Sequence, residues 1–517
     1  MSAGQHSLIV IGAGVAGLAT ACYARQNGFA VTVFEQQQRP GGICAGWQRG
    51  EYRFEHGPRH LAGSAATSPL HHLWRELNAL DPAAVDHPTT FVRVESTTGQ
   101  ALELPTDLGR LEQRLLHRSP IDARHIRRYT GAIRRLSGLD PLAVRRGGAQ
   151  DRLRRVLRAG LIRRAGHISL DRFAERFRDP FLARGLRHAH FDRPADQVPL
   201  LDHLLCLAGL VAGDGGWPRG GSAALADRMA RRLAALGAEL VCASPVVEVL
   251  VERDRAVGVR LASGETHLAD RVISAADGYT TIYRLLGGRY TSPAIDLYYE
   301  AAPDRQPQGL VIQLGLARDL LDEPERLVLL LDPPLELADG PRPSLLVDLF
   351  HEGSGLAPAG KGVMRITTRA GYRRWRDLQR DDAAACSRAE QELTAAAIQR
   401  LEARFAGLGQ QVEQSEVITP AARERLTGNY RGCHPWPPAY GAGRIRRRGL
   451  SRRLPGLERF HMVGQWAAAD AGLAGAALDG RSLIARLCRR QGRRFHTGLG
   501  PEPETDVVPE TAKGGKP

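Results

Sequence analysis

The sequence predicts an α/β fold, a Rossmann-like dinucleotide-binding domain interleaved with an α+β second domain. Three observations predict it. Gly12, Gly14 and Gly17 stand between an apolar run at Leu8–Ile11 and a helical stretch from about Val15. A helix followed by alternating apolar strands fills the region after Trp217 as far as Asp277. A strand ending at Val463 leads through a glycine-bearing loop into a helix from about Gly475. These blocks lie far apart in the chain yet read as parts of one nucleotide-binding unit.

The first block is the most explicit. Leu8–Ala24 (LIVIGAGVAGLATACYA) is the longest apolar run. No Lys or Arg precedes it, as a secretory n-region would require, and three glycines interrupt it. It reads as buried strand, turn and helix, the context in which GxGxxG binds a dinucleotide. Gly12 permits the tight turn, Gly14 lets a pyrophosphate approach the backbone, and Gly17 lets helix and strand pack closely. The helix start then offers free N–H groups and partial positive charge to a phosphate. A second strand, Ala30–Phe34, ends in Glu35, 23 residues after Gly12, the spacing of a ribose-binding carboxylate.

Composition sets the class. The 517 residues are 43% hydrophobic and 25% charged, ordinary globular values that exclude a disordered chain, a fibre or a small disulfide scaffold. Seven scattered cysteines without a CxxC pair argue against a zinc ribbon or thioredoxin-type site and point to a reducing, cytoplasmic compartment. The net charge is +15, carried almost wholly by arginine, since lysine occurs only at 361, 513 and 516. Such a surface attracts phosphates and anionic lipids, but no nucleic-acid recognition motif is present, so nucleic acid is not expected as a partner.

After Glu35 the chain continues QQQRPGG with the pair Gly41 and Gly42, then Trp47, Tyr52–Glu55 and Gly57. Further on come Trp217-Pro218-Arg219-Gly220-Gly221, a helix over Ala223–Leu236, and the pattern from Glu239 through Val246 to ADRVISAAD at 269–277. Together these resemble the FAD-dependent carotenoid (phytoene) desaturase, carotenoid isomerase and retinol saturase family, from about Ser7 to Arg490. Amine-oxidase relatives often carry Arg after the paired glycines, whereas Ile43 stands here, as in the carotenoid and retinol branch.

The resemblance implies FAD as cofactor, held by Gly12, Gly14, Gly17, Glu35, Gly41 and Gly42. It implies that Val246 holds the adenine through its backbone, the plain alternative being a core valine. It implies that the loop of Gly464, Gln465, Gly472 and Gly475 faces the flavin. Two departures stand out. Gln465 occupies a position where many flavoproteins have Asp, and Asp470-Ala471-Gly472 replaces a run of glycines. Asp470 is therefore a candidate chemical participant, or else a solvated or capping carboxylate. His60, in GPRHLAG, is a second catalytic candidate, and Arg59 a candidate contact to cofactor or substrate. His188 and His190 lack an evident third ligand, so no metal is expected.

The expected FAD-binding domain is discontinuous, 1–75, 211–290 and 452–497. The expected substrate domain comprises 76–210 and 291–451, and 498–517 reads as a disordered tail. Gly309–Leu316, Arg326–Leu331, Ser344–Phe350 and Val363–Thr368 read as strands of one mixed sheet over the flavin, and Asp382–Phe405 as a long helix. His203–Ala212 reads as tunnel lining or plain core. Residues 110–164 carry sixteen arginines against four acids. Within them, Arg152–Ala165 sets Leu153, Val156, Leu157 and Leu161 near one stripe. Such a helix either docks on an anionic membrane surface, giving peripheral contact on its cytoplasmic face, or packs on the core with its arginines in water.

The expected function is FAD-dependent desaturation, saturation or isomerisation of carbon–carbon bonds in an apolar, lipid-soluble isoprenoid polyene. One alternative is an amine or porphyrinogen oxidase-like enzyme, against which Ile43 and the Gln465-Trp466 loop count. Another is a prenyl-lipid carrier on the same fold, against which the intact glycine set and Glu35 count. No second strand–GxGxxG–helix unit is evident for a nicotinamide.

Overall fold

The computed structural model describes residues 6–139, 150–190, 194–300, 308–432, 451–464, 466 and 472–498. Two large sheets organise it, and their strands are numbered together in chain order. The first sheet is parallel and contains β1 (Ser7–Ile11), β2 (Ala30–Phe34), β5 (Glu239–Val241), β6 (Arg271–Ser274) and β12 (Phe460–Met462). Its spatial order is β12–β6–β1–β2–β5, so three distant stretches of chain build one sheet. Near-continuous apolar composition suits strands covered on both faces. The register sets Ile9 beside both Val272 and Thr32.

Helix α1 (Val15–Gln26) crosses from β1 to β2 and is buried from Val15 to Ala24. It packs on the Gly472–Arg490 and Gly221–Ala235 helices. The approach to the former is close because of Gly480, where an added Cβ would stand 2.4 Å from Thr20 Oγ1.

The second sheet is mixed and seven-stranded. It contains β3 (Thr90–Ser96), β4 (Ala101–Pro105), β7 (Gln308–Leu316), β8 (Arg326–Leu337), β9 (Gly340–Phe350), β10 (Gly362–Ala370) and β11 (Val412–Ile418), in the order β11–β7–β10–β9–β8–β3–β4. Only the β8–β3 pairing is parallel. All four strands expected in one mixed sheet lie here, lengthened and joined by three more. One face packs on the helix Ala383–Glu402 through Leu310, Ile312, Met364 and Ile366. That helix starts after Asp382, whose side chain accepts from Ala385 N–H at 2.8 Å. The other face meets a helical layer through Val328, Leu330 and Leu346.

That helical layer includes Leu108–Arg118, Ala123–Leu136, Pro180–His188 and Leu200–Val211. The apolar sides of the arginine-rich helices face inward, with Leu111, Leu115, Ile126 and Ile133 buried. Arg110, Arg114, Arg124, Arg127, Arg128, Arg134 and Arg135 are exposed. Gln150–His167 is helical, and Leu161 packs against the same core. Leu153, Val156 and Leu157 lie outside the residues whose side chains are described. His203–Ala212 lies within the Leu200–Val211 helix and its cap, with His203, Leu204, Leu207 and Leu210 buried in the core. Among the described residues no helix is long and apolar enough to cross a membrane.

Candidate flavin and substrate site

The glycine turn has the geometry its sequence demands. Gly12 adopts φ +93°, a conformation that costs a residue with a Cβ, and its N–H donates to Phe34 O at 2.8 Å. A Cβ at Gly17 would lie 1.9 Å from Gly12 O, so only glycine fits. Gly14 is different. A Cβ there would meet nothing closer than Gly42 Cα at 4.0 Å, so the space beside it is open.

Gly41 and Gly42 close over this turn. Gly41 (φ +132°) donates to Ala13 O at 2.9 Å, and a Cβ at Gly42 (φ +58°) would lie 3.2 Å from Gly14 Cα. The α1 N-terminus has neither a side-chain cap nor an acid in its first turn. Its free N–H groups therefore face a glycine-walled cradle, and that arrangement fits a diphosphate.

Glu35 is buried at the end of β2. Its Oε2 accepts from Ala13 N–H at 2.7 Å and its Oε1 from Gln37 N–H at 2.9 Å. Burial raises its pKa, and the backbone N–H donors oppose that rise. The 241–244 segment is stitched to it: Glu35 N–H donates to Val241 O at 2.9 Å and Ser244 N–H to Glu35 O at 2.8 Å. Val246 starts the next strand, Val246–Glu252, two residues further on, and is half-buried. The glycine turn, Glu35 and Val246 thus follow the carboxyl ends of β1, β2 and β5 of the parallel sheet.

Gly464, with φ +105°, follows β12, and its Cβ position lies 3.1 Å from Ala16 Cβ at the start of α1. Its N–H donates to Asp479 Oδ2 at 3.0 Å. Asp479 is fully buried and also accepts from Arg452. The sequence reading missed Asp479; its signal is a lone acid inside an apolar helix. The helix begins at Gly472 (φ +52°), three residues before the expected start, which places Gly475 buried in its first turn. Gln465 and Asp470 lie outside the described residues.

The segment after Glu55 is pinned from two sides. A Cβ at Gly57 would lie 1.9 Å from Ser222 Oγ, and one at Gly221 (φ +81°) 2.2 Å from Glu55 Oε2. The paired glycines at 220–221 therefore dock against the Glu55–Gly57 backbone. Asp214 accepts from Gly63 N–H at 2.9 Å, Ser64 Oγ at 3.0 Å, Ala65 N–H at 3.2 Å and Ser68 Oγ at 2.7 Å.

His60 sits within this pinned loop. Its Nδ1 lies 3.2 Å from Gly215 O and its Nε2 3.2 Å from Arg326 Nη1. A carbonyl only accepts and a guanidinium only donates, so the proton belongs on Nδ1 and the Nε2 lone pair is already used. Burial, with Arg326 and Arg59 close by, pushes the imidazole pKa down to about 3. The ring presents no free nitrogen to take a substrate proton. So held, the imidazole positions the loop between Gly215 and Arg326.

Around His60 lies a charge cluster that sequence reading did not assemble. Asp348, 1% exposed, accepts from Arg326 Nε at 2.8 Å and from Arg365 Nη2 at 2.8 Å. Arg326, Arg365 and Arg59 hold its carboxyl well below the ordinary range. Arg365 Nη1 also donates to Gly57 O at 2.9 Å and lies 3.9 Å from Glu55 Oε1. Arg59 pairs with Glu325 at 3.2 Å and lays its guanidinium 4.2 Å from the Phe350 ring centroid and 5.6 Å from that of Trp217. Its Nη1 is buried without a hydrogen-bond partner. Charged residues inside apolar strands, as in LLVDLF and VMRITT, were the available signal.

The chain matches the family model of flavin containing amine oxidoreductases over residues 15–294. Among curated proteins it is 23% identical to the chloroplastic prolycopene isomerase of Arabidopsis thaliana, over 92% of this chain and 81% of the relative. It is 29% identical to a lycopene-forming phytoene desaturase of Pseudescherichia vulneris, over 54% of this chain and 57% of the relative. Among solved structures, an oxidoreductase from Methanosarcina mazei superposes with a TM-score of 0.58 at 18% identity, covering 92% of this chain and 99% of that one. Cyclohexylamine oxidase from Brevibacterium oxydans gives 0.58 at 14% identity, covering 95% and 100%. With the uncapped helix, the glycine cradle and Glu35 at their expected places, the chain belongs to the flavin-containing amine oxidoreductase family and is an FAD-dependent oxidoreductase.

Proposed function

We propose that this oxidoreductase acts on carbon–carbon bonds of an apolar isoprenoid polyene, by desaturation, saturation or isomerisation. The observation that carries this reading is the similarity to prolycopene isomerases along 92–94% of the chain, not only through the nucleotide-binding part.

FAD, when bound, supplies hydride chemistry at carbon. The protein's part is to hold and to exclude. Gly14, Gly41, Gly42 and the start of α1 receive the diphosphate. Glu35 presents its carboxylate to the ribose, and Val246 its backbone to the adenine. Gly464, Gly472 and Gly475 bring the last helix to the flavin. His60 holds its proton on Nδ1 against Gly215 O and takes none from the substrate. Positive charge developing on a conjugated chain spreads over that chain, so no strong base is required of the protein.

The test is direct. Purified protein is examined for flavin absorbance, and the released cofactor is identified by mass. It is then incubated with phytoene and with prolycopene, in air and under anaerobic reduction, with product analysis by chromatography. A changed double-bond count or geometry supports the proposal. Turnover of primary amines with inert polyenes would overturn it in favour of the amine-oxidase reading.

A further inference from the structure

Strand β12 is the outer strand of the parallel sheet and, among the described residues, pairs only with β6. Val463 N–H continues that pairing to Ser274 O at 2.9 Å, so by alternation the N–H groups of Met462 and Gly464 point away from the sheet. Both find acceptors. Met462 N–H donates to Arg452 O at 2.8 Å, and Gly464 N–H donates to Asp479 Oδ2 at 3.0 Å. Asp479 Oδ1 accepts from Arg452 through both Nε and Nη2. One fully buried carboxylate thus joins three segments: the 451–453 stretch, the turn after β12 and the Gly472–Arg490 helix.

The turn that Asp479 holds borders the cofactor cradle. The Cβ position of Gly464 lies 3.1 Å from Ala16 Cβ, in the first turn of α1, whose uncapped N–H groups face the diphosphate site. The next helix residue tightens the same joint. Gly480 packs on Thr20, and Thr20 Oγ1 donates to Ala16 O at 2.7 Å. A sheet edge needs only an acceptor, which Asn or Ser would supply. Burying a full charge instead costs desolvation energy and demands a counter-charge. The Arg452 side chain, 30% exposed, supplies it from the solvent side. The negative charge therefore stands inside, next to the turn, and its positive partner outside.

We propose that Asp479 is a positioning residue for the flavin, acting through the Gly464 N–H to fix the turn at the cradle, and that Arg452 cancels its charge there. The inference rests on the FAD assignment and on neither substrate reading, so it stands or falls apart from the polyene proposal.

Three variants separate position from charge: Asp479→Asn, Arg452→Met and the double variant Arg452→Met/Asp479→Ala. Each full-length protein is stripped of flavin, titrated with FAD by fluorescence quenching, and reloaded for measurement of the flavin reduction potential. The flavin-free proteins are compared by thermal unfolding. Reduction adds negative charge to the flavin, so an unmasked Asp479 opposes it and an unmasked Arg452 favours it. Arg452→Met is therefore expected to lower the potential and Asp479→Asn to raise it. Arg452→Lys, which keeps the charge, should restore the parent value. The double variant buries no unpaired charge. Its potential should lie between those of the single variants, yet it should bind FAD about tenfold or more weakly, as loss of one charge-assisted hydrogen bond implies. A clasp that serves stability alone would shift the melting temperatures and leave FAD affinity and potential as in the parent, and that result overturns the inference. So do potentials that move in the same direction in both single variants. Unchanged FAD affinity in the double variant overturns it whether or not the single variants fold.

Discussion

Gly14 and Gly17 sit one helical turn apart and serve different ends. A side chain at Gly17 collides with Gly12 O, whereas one at Gly14 enters open space that the folded chain does not need. Gly14→Val should therefore lower FAD affinity by about tenfold or more, a loss of about 1.4 kcal/mol or greater, while the melting temperature of the flavin-free protein holds. Gly17→Val should lower both. Bound flavin after gel filtration and thermal unfolding read the two effects apart. Glu35→Ala should resemble Gly14→Val, although loss of the Ala13 and Gln37 contacts adds a small structural cost.

Asp348 and His60 both withdraw stability as the pH falls, in different windows. The Asp348 carboxyl is depressed in the folded protein, so its contribution is present above about pH 4, the unfolded carboxylate range, and is lost as pH falls through the lower folded value. Asp348→Asn leaves Arg326 and Arg365 without their shared counter-charge and should cost about 3–5 kcal/mol at pH 7 by urea unfolding. The deficit should narrow in acid. An unchanged midpoint at pH 7 would remove this role. His60 is also depressed, so here too the unfolded state takes its proton first, at higher pH. Stability should fall as pH drops below about 6.5, the unfolded value, toward the folded value of about 3, and His60→Gln should flatten that slope.

Among the elements, α1 and the Gly472–Arg490 helix show how a small residue sets a contact. Gly480 leaves no room for a side chain against Thr20, so the helices meet almost backbone to backbone. Gly480→Val should destabilise by about 1–3 kcal/mol through overpacking and should tilt the helix that carries Gly475. Calorimetry and flavin content measure the two consequences. Several boundaries differ from the sequence reading for local reasons. The strand expected over 269–277 is only Arg271–Ser274, because Asp277 accepts from Thr280 N–H at 2.8 Å and turns the chain into the Thr280–Leu285 helical turn. The arginine-rich helices Leu108–Arg118 and Ala123–Leu136 spend their apolar faces on the core.

For the molecule entire, that orientation changes what membrane contact can mean. The exposed side of the 108–136 helices is arginine without an apolar stripe. Docking, which we propose for this face, is then electrostatic and shallow. The protein should sediment with vesicles containing phosphatidylglycerol and not with neutral vesicles, and 0.5 M salt, at a Debye length of only several Å, should release it. Retention at high salt would refute an electrostatic mode.

Much of the nucleotide-binding unit was legible because its requirements are local. A φ near +90° at Gly12, steric exclusion at Gly17 and a carboxylate at the end of the second strand leave marks within a few dozen residues. The Asp348 cluster was not legible. Arg59 comes from a loop, and Arg326, Asp348 and Arg365 come from three strands whose register no local signal sets. The sequence by itself determined an FAD-binding fold of interleaved α/β blocks. The tertiary structure alone decided that both nitrogens of His60 are committed, that the arginine helices turn their apolar sides inward, and that Arg326, Asp348 and Arg365 meet on one face of the second sheet. Backbone conformation is written residue by residue, whereas a field is written only when distant strands pair.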